Sequence, residues 1–177
     1  DGDSASNDHT INIGGALAFE DDGPSISVGA ASEPVTNDDA LIVDDTTLGS
    51  DTGTFANNFA VISSDYGSDG AGTITSVYTL GTPGGDSGLV DVATDEAVIL
   101  SVNDVTGNVE GRTETSDDLV FTVSVNETSG VVTLDQARAI KHDHPDLPDE
   151  TGAPGHAETI GADRITLTRE DTITDKA

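Results

Sequence analysis

Apolar residues in this chain come in short alternating runs broken by acidic, glycine-rich segments, and no run carries a helical period. The clearest run is 119–126, where Leu119, Phe121, Val123 and Val125 share one face and Val120, Thr122, Ser124 and Asn126 the other. Such alternation predicts a strand with one buried and one wetter side. Residues 73–80 alternate similarly, with Ile74, Ser76, Tyr78 and Leu80 on one face. Further strands are predicted at 10–13, 16–19, 25–28, 40–43, 59–63, 89–92, 97–102, 108–113, 131–134 and 164–174, the last with Ile165, Leu167 and Arg169 on one face. Turns are expected at 81–86, around Ala93-Thr94-Asp95-Glu96, at Thr106-Gly107 and across Glu127-Thr128-Ser129-Gly130. Asp135 is placed to cap one short helical turn over 136–140, and 142–156, with three of the six prolines, reads as a long loop. The pattern predicts an all-β chain, an antiparallel β-sandwich with at most one short helical turn.

Composition narrows what such a chain does. Thirty-four Asp and Glu stand against six Lys and Arg in 177 residues, a formal charge of −28. That field repels phosphate, which excludes a nucleic-acid partner, and it attracts cations. All six basic residues, Arg112, Arg138, Lys141, Arg164, Arg169 and Lys176, fall after position 111, so earlier carboxylates must be solvated or bound to metal. No cysteine is present, which removes disulfides and thiolate chemistry. Hydrophobic residues make up 34%, with six aromatics, and this predicts a thin core. No stretch is long and apolar enough to span a membrane, and the start Asp1-Gly2-Asp3 is neither an initiator Met nor a signal peptide, which predicts a piece of a longer chain.

The two ends fit each other. Thr172-Ile173-Thr174-Asp175-Lys176 followed by Asp1-Gly2-Asp3-Ser4-Ala5-Ser6 resembles a junction that recurs in giant adhesins exported by type I secretion, the repeats-in-toxin (RTX) adhesins. Phe19-Glu20-Asp21-Asp22-Gly23-Pro24-Ser25-Ile26, Tyr66-Gly67-Ser68-Asp69-Gly70-Ala71-Gly72, the 119–125 strand and residues 132–140 also resemble one tandem repeat of that family, in family order. The resemblance implies an extender module of immunoglobulin/cadherin-like sandwich topology, one of many copies in a stalk rigidified by Ca²⁺, on the surface of a Gram-negative bacterium. The glycine- and aspartate-rich nonapeptide array that names the family is missing, so no calcium β-roll is assigned. In this register residues 1–19 are the last strand of a preceding repeat plus linker, and 20–177 are one module without its own last strand. The unpaired edge is expected to take the N-terminal strand of a neighbouring copy, a head-to-tail strand exchange.

Calcium takes six to eight hard oxygens in irregular geometry, and clustered acids at glycine turns supply them. The main candidate site joins Glu20, Asp21 and Asp22 of the linker to Asp1, Asp3 and Asp175; the alternative is a solvated acidic turn. Asp65 and Asp69, flanking Gly67 and Gly70, form a second candidate. Asp44-Asp45 and Asp117-Asp118 read as solvated faces. His142-Asp143-His144 lacks the further ligands of a preformed transition-metal site, and His9 and His156 read as exposed. No nucleophilic triad, phosphate loop or carboxylate pair in an apolar cleft stands out, so an enzyme is not expected. The other functional class left open is a glycan- or peptide-binding adhesin module, for which Tyr66 and Tyr78 are the stacking candidates.

Overall fold

Four successive turns share one construction, and it organises half the molecule. Each begins at a short polar residue, Asp91, Asn103, Thr113 or Asn126, whose side-chain oxygen accepts from a backbone N–H further along the turn, at 2.8 to 3.2 Å. Four residues later stands Asp95, Gly107, Asp117 or Gly130, at φ of 62°, 72°, 56° and 67°. The N–H of that residue donates to the first residue's carbonyl at 2.8–3.1 Å. The first residue's own N–H donates across the turn to the fifth following carbonyl at 2.8–3.0 Å, which closes the hairpin. Glycine and the short acids tolerate the left-handed conformation this turn needs.

These turns join β5 (Gly85–Val90), β6 (Ala97–Val102), β7 (Val109–Thr113), β8 (Leu119–Val125) and β9 (Val131–Gln136) into an antiparallel meander. β2 (Ser50–Thr54) pairs with the outer edge of β9, giving a six-stranded sheet. The computed structural model describes residues 23–31, 41–45, 47–68, 70–142 and 158–176. In the second layer β4 (Thr73–Gly81) pairs antiparallel with β10 (Thr166–Thr174), and β1 (Ser25–Ala30) with β3 (Phe59–Asp65). β1 also runs beside β10. The whole is the antiparallel β-sandwich that the alternation predicts.

The core lies on the inner face of the meander. Leu89, Val98, Leu100, Val109, Val120, Phe121, Val123 and Val132 are buried there, and Leu80 of β4 and Leu167 of β10 pack onto them from the opposite layer. A bulge in β8 adds to it. Gly111 faces Phe121 while Arg112 faces Leu119, so Val120 is the extra residue, and its carbonyl accepts from both Ala137 and Arg138 N–H at 2.8 and 3.1 Å. The bulge buries two consecutive apolar residues, Val120 and Phe121, although strict alternation puts them on opposite faces. The Phe121 ring lies over Gly111, where a Cβ would come within 2.4 Å of it.

Two expectations need correction, and one strand had none. Residues 136–140 form no helical turn: Gln136 ends β9, Ile140 bridges Asp91, and Val92 and Lys141 exchange backbone bonds with Ala139 and Val90 at 3.0 and 2.8 Å. Those amides find strand partners, which outcompetes an isolated turn. Among the described residues the one helical turn is instead a 3₁₀ turn at Ala56–Asn58. Residues 41–43 are not a strand; they lie as an irregular segment with Leu41 against the core. β2, with no large apolar side chain, gives no hydrophobic signal and forms through its ladder to β9. The strands expected at 10–13 and 16–19, and the 1–19 and 20–177 division, fall at or across positions outside the described residues.

The common turn predicts opposite effects at two equivalent positions. Asp117→Gly should stabilise the fold by about 0.5–1 kcal/mol and Gly107→Ala destabilise it by about 1 kcal/mol, read as shifts in urea midpoint. Equal effects at both positions would contradict a shared left-handed requirement.

Candidate metal centre

Chain geometry draws two acids, Asp65 and Asp175, to one end of the sandwich. β1 starts at Ser25, which faces Asp65 at the end of β3. The chain then turns through 66–72 into β4, whose first residue, Thr73, faces Thr174 at the end of β10. Asp65 Oδ1 accepts from Gly67 N–H at 3.0 Å, which starts the loop. Gly72 presses on the departing end of β10: a Cβ there would lie 1.9 Å from the Thr174 carbonyl oxygen and 2.6 Å from that of Asp175. Lys176 N–H donates to Gly70 O at 3.3 Å. Asp65 and Asp175, assigned to separate candidate sites from sequence, therefore sit on the same end, joined by one loop. Asp1, Asp3, Glu20, Asp21, Asp22 and Asp69 lie outside the described residues, although 20–22 directly precede the strand that starts beside Asp65. Among the described residues no group of three or more His, Asp or Glu is arranged to hold a metal ion.

Elsewhere some acids are held by the few cations, which corrects the expectation that carboxylates before position 111 are solvated or bound to metal: Asp91, Asp95 and Glu110 meet Arg138, Lys141 and Arg112. Asp91 is fully buried, and its carboxylate accepts from Arg138 Nε and Nη2, both at 2.9 Å, and from Thr94 N–H and hydroxyl at 2.8 and 2.7 Å. Arg138 holds the Asp91 carboxyl far below the ordinary carboxylate range, with Thr94 assisting and burial opposing. The same guanidinium reaches Asp118 at 3.1 Å. In the other layer Arg169 grips Asp171 at 2.8 and 2.9 Å and lies 5.9 Å from the centre of the Tyr78 ring. Burial pushes the Asp171 carboxyl up, and the hydrogen bonds from Arg169 and Ser76 with the Arg169 charge more than offset it, so it titrates low. Glu110 is lowered by Arg112, which donates at 2.7 Å, and by Asn103. Lys141 pairs with Asp95.

The sequence reading missed Asp91 and Asp171. Asp171 sits two residues after Arg169 on the inward face of β10, and this i, i+2 pairing of opposite charges within an apolar alternation was a readable signal. Asp91 had only its place at the head of a turn. The view of Asp45 as a solvated face is also corrected: its carboxylate accepts from Gln136 Nε2 and from Ile140 N–H at 3.3 Å, and it meets His142 Nε2 at 2.5 Å. Asp118, half exposed, belongs to the Arg138 pair. His142 thus has a carboxylate partner, while Asp143, His144, His9 and His156 are outside the described residues.

The family model described as Domain of unknown function (DUF5801) matches residues 40–177, most of the chain, which therefore belongs to that family. No curated protein and no solved structure matches the chain.

Both buried carboxylates titrate below their unfolded values near 3.9. The stability they contribute is therefore full above about pH 4 and lost progressively as pH falls from there toward their lowered folded values. Asp91→Asn should cost about 2–3 kcal/mol at pH 7, and its deficit against the parent should shrink at about pH 3, measured by urea unfolding at each pH. A deficit independent of pH would assign the loss to packing alone.

Proposed function

We propose that this member of the DUF5801 family is a calcium-stabilised structural extender module of a cell-surface adhesin stalk, projecting a distal ligand-binding region for surface attachment and biofilm formation. The observation that supports it most is the clasp of the β10 end against the 66–72 loop, beside the start of β1. It brings Asp65 and Asp175 to the end where the acidic linker joins, so Glu20, Asp21, Asp22 and Asp69, with Asp1 and Asp3 of an adjoining copy, are the groups proposed to complete an oxygen shell for Ca²⁺.

In this reading the partners are neighbouring repeats of the same protein, joined in part by head-to-tail strand exchange, and the setting is the outside of a Gram-negative cell after type I secretion. No helix among the described residues is long and apolar enough to cross a membrane, and the proposal gives this stretch no membrane or nucleic-acid contact. Nor does it assign catalysis. Calcium binding only the folded state stabilises by mass action, about 2.7 kcal/mol at 100 times Kd, a large share of a typical domain's stability. In a low-calcium cytoplasm the unscreened acids favour a loose chain suited to export. The glycan-binding alternative loses one of its two stacking candidates, since Tyr78 is only 5% exposed and packs against Phe59 with ring centres 6.0 Å apart.

Thermal melting tests the proposal. Millimolar CaCl₂ should raise the Tm by about 5–10 °C and equimolar MgCl₂ by far less. Asp175→Asn, and separately Asp21→Ala with Asp22→Ala, should each remove most of the calcium shift while leaving the calcium-free Tm nearly unchanged. An equal response to magnesium, or a full shift in both variants, would sink the junction site.

A further inference from the structure

The segment before β2 repeats the closing bond of the four meander turns with a residue that does not suit it. Leu48 N–H donates to Asp44 O at 2.9 Å, and Leu48 stands at φ 45°. A bulky side chain rarely takes that left-handed conformation, and it persists there only where the surroundings hold it. Three ties surround this turn. Ile42 N–H donates to Asp51 Oδ2 at 2.9 Å before it, and Gly49 O accepts from Gln136 N–H at 2.9 Å after it. Within it, the Asp45 carboxylate accepts from Gln136 Nε2 and Ile140 N–H and meets His142 Nε2 at 2.5 Å. Of these groups only the His142 imidazole changes charge between about pH 6 and pH 9.

We infer that the Asp45–His142 contact is a pH-sensitive latch: protonated His142 holds the strained 44–48 turn against 136–142, and with it Leu41 against the core, and loss of that proton in mildly alkaline solution loosens the segment. A carboxylate in contact favours the imidazolium over the neutral ring, and deprotonation removes that attraction while the strain at Leu48 stays. Among the described residues, Asp44 flanks Asp45 in sequence, and Glu158, from 158–160, borders the same apolar space as Asp45 and His142, so both neighbours add negative charge. Lys141, beside His142, is paired with Asp95 of the β5–β6 turn. Because the folded state holds the His142 proton more tightly than the unfolded chain does, the latch is complete below about pH 6.5 and is lost as pH rises above it. This sense is opposite to that of Asp91 and Asp171, whose contribution is lost toward acid.

Amide hydrogen exchange of the full chain in calcium-free buffer tests it, read as protection factors at about pH 6 and about pH 8.5 so that the intrinsic base catalysis of exchange is removed. Protection at Ile42 and Ile140 should fall at least about fivefold over this interval, while Asn103, whose N–H closes a meander hairpin at 2.8 Å, should change less than about twofold. His142→Gln should show no such fall, which separates His142 from His9, His144 and His156. Leu48→Gly, which relieves the left-handed strain, should raise the protection of both amides at about pH 8.5 and shrink the pH effect by about half or more. Unchanged protection in the parent, a fall shared by Asn103, or a fall retained in folded His142→Gln would each overturn the latch. If that variant fails to fold, an undiminished pH effect in Leu48→Gly overturns it.

Discussion

Six lysines and arginines share the molecule with thirty-four carboxylates, and every buried acid in the fold has to be reconciled with that ratio. Burying a lone carboxylate is prohibitive, whereas burying it with a bidentate guanidinium is tolerable. Arg138 with Asp91 and Arg169 with Asp171 are placed where the strands carry an acid inward, one pair in each layer. The pair in the first layer also fixes topology. Arg138 reaches Asp91 only because 137–141 runs alongside the β5–β6 turn, so the ion pair, the Val120 bulge and the Asp91–Ile140 bridge depend on each other. Other acids take neutral donors instead, as Asp45 does from Gln136 and Ile140 and Glu96 from Thr115 and Ser116, while Asp65 and Asp175 share one end of the sandwich.

Local rules account for much of the rest. The repeated turn lets each meander strand find its sequence neighbour, so pairing is mostly short-range, and loop-closure entropy stays low for a β protein. A chain with a thin core and strong self-repulsion gains from that economy. The second layer lacks it: β4 pairs with β10 across about half the length of the chain.

Strict alternation in 73–80 and 164–174 located β4 and β10 and their inward faces from sequence, because period-two patterns survive when one face is dry. The hairpins were readable too, although the shared rule behind Asp91-Val92-Ala93-Thr94-Asp95, Asn103-Asp104-Val105-Thr106-Gly107, Thr113-Glu114-Thr115-Ser116-Asp117 and Asn126-Glu127-Thr128-Ser129-Gly130 emerges only when the turns are set side by side. β2 was not legible, since Ser50-Asp51-Thr52-Gly53-Thr54 becomes a strand through a partner eighty residues away in sequence, not through its own side chains. The expected helical turn at 136–140 failed for the converse reason: local capping chemistry lost to long-range backbone pairing. For the candidate metal centre, Asp65 was legible as an acid beside a glycine turn and Asp175 through the fit of the two chain ends, but their placement on a single end required the β3–β4 loop and the Gly72 clasp.

Whether the acidic end holds a specific ion or only a diffuse counter-ion cloud is decided most directly by calorimetric titration of the chain with CaCl₂ at about 0.15 M KCl, where exposed charges more than about 8 Å apart are largely screened. A built junction predicts saturable binding with a small whole-number stoichiometry that excess MgCl₂ does not abolish. Uptake that never saturates and fades as KCl rises would contradict it, and would leave these carboxylates as solvated charge.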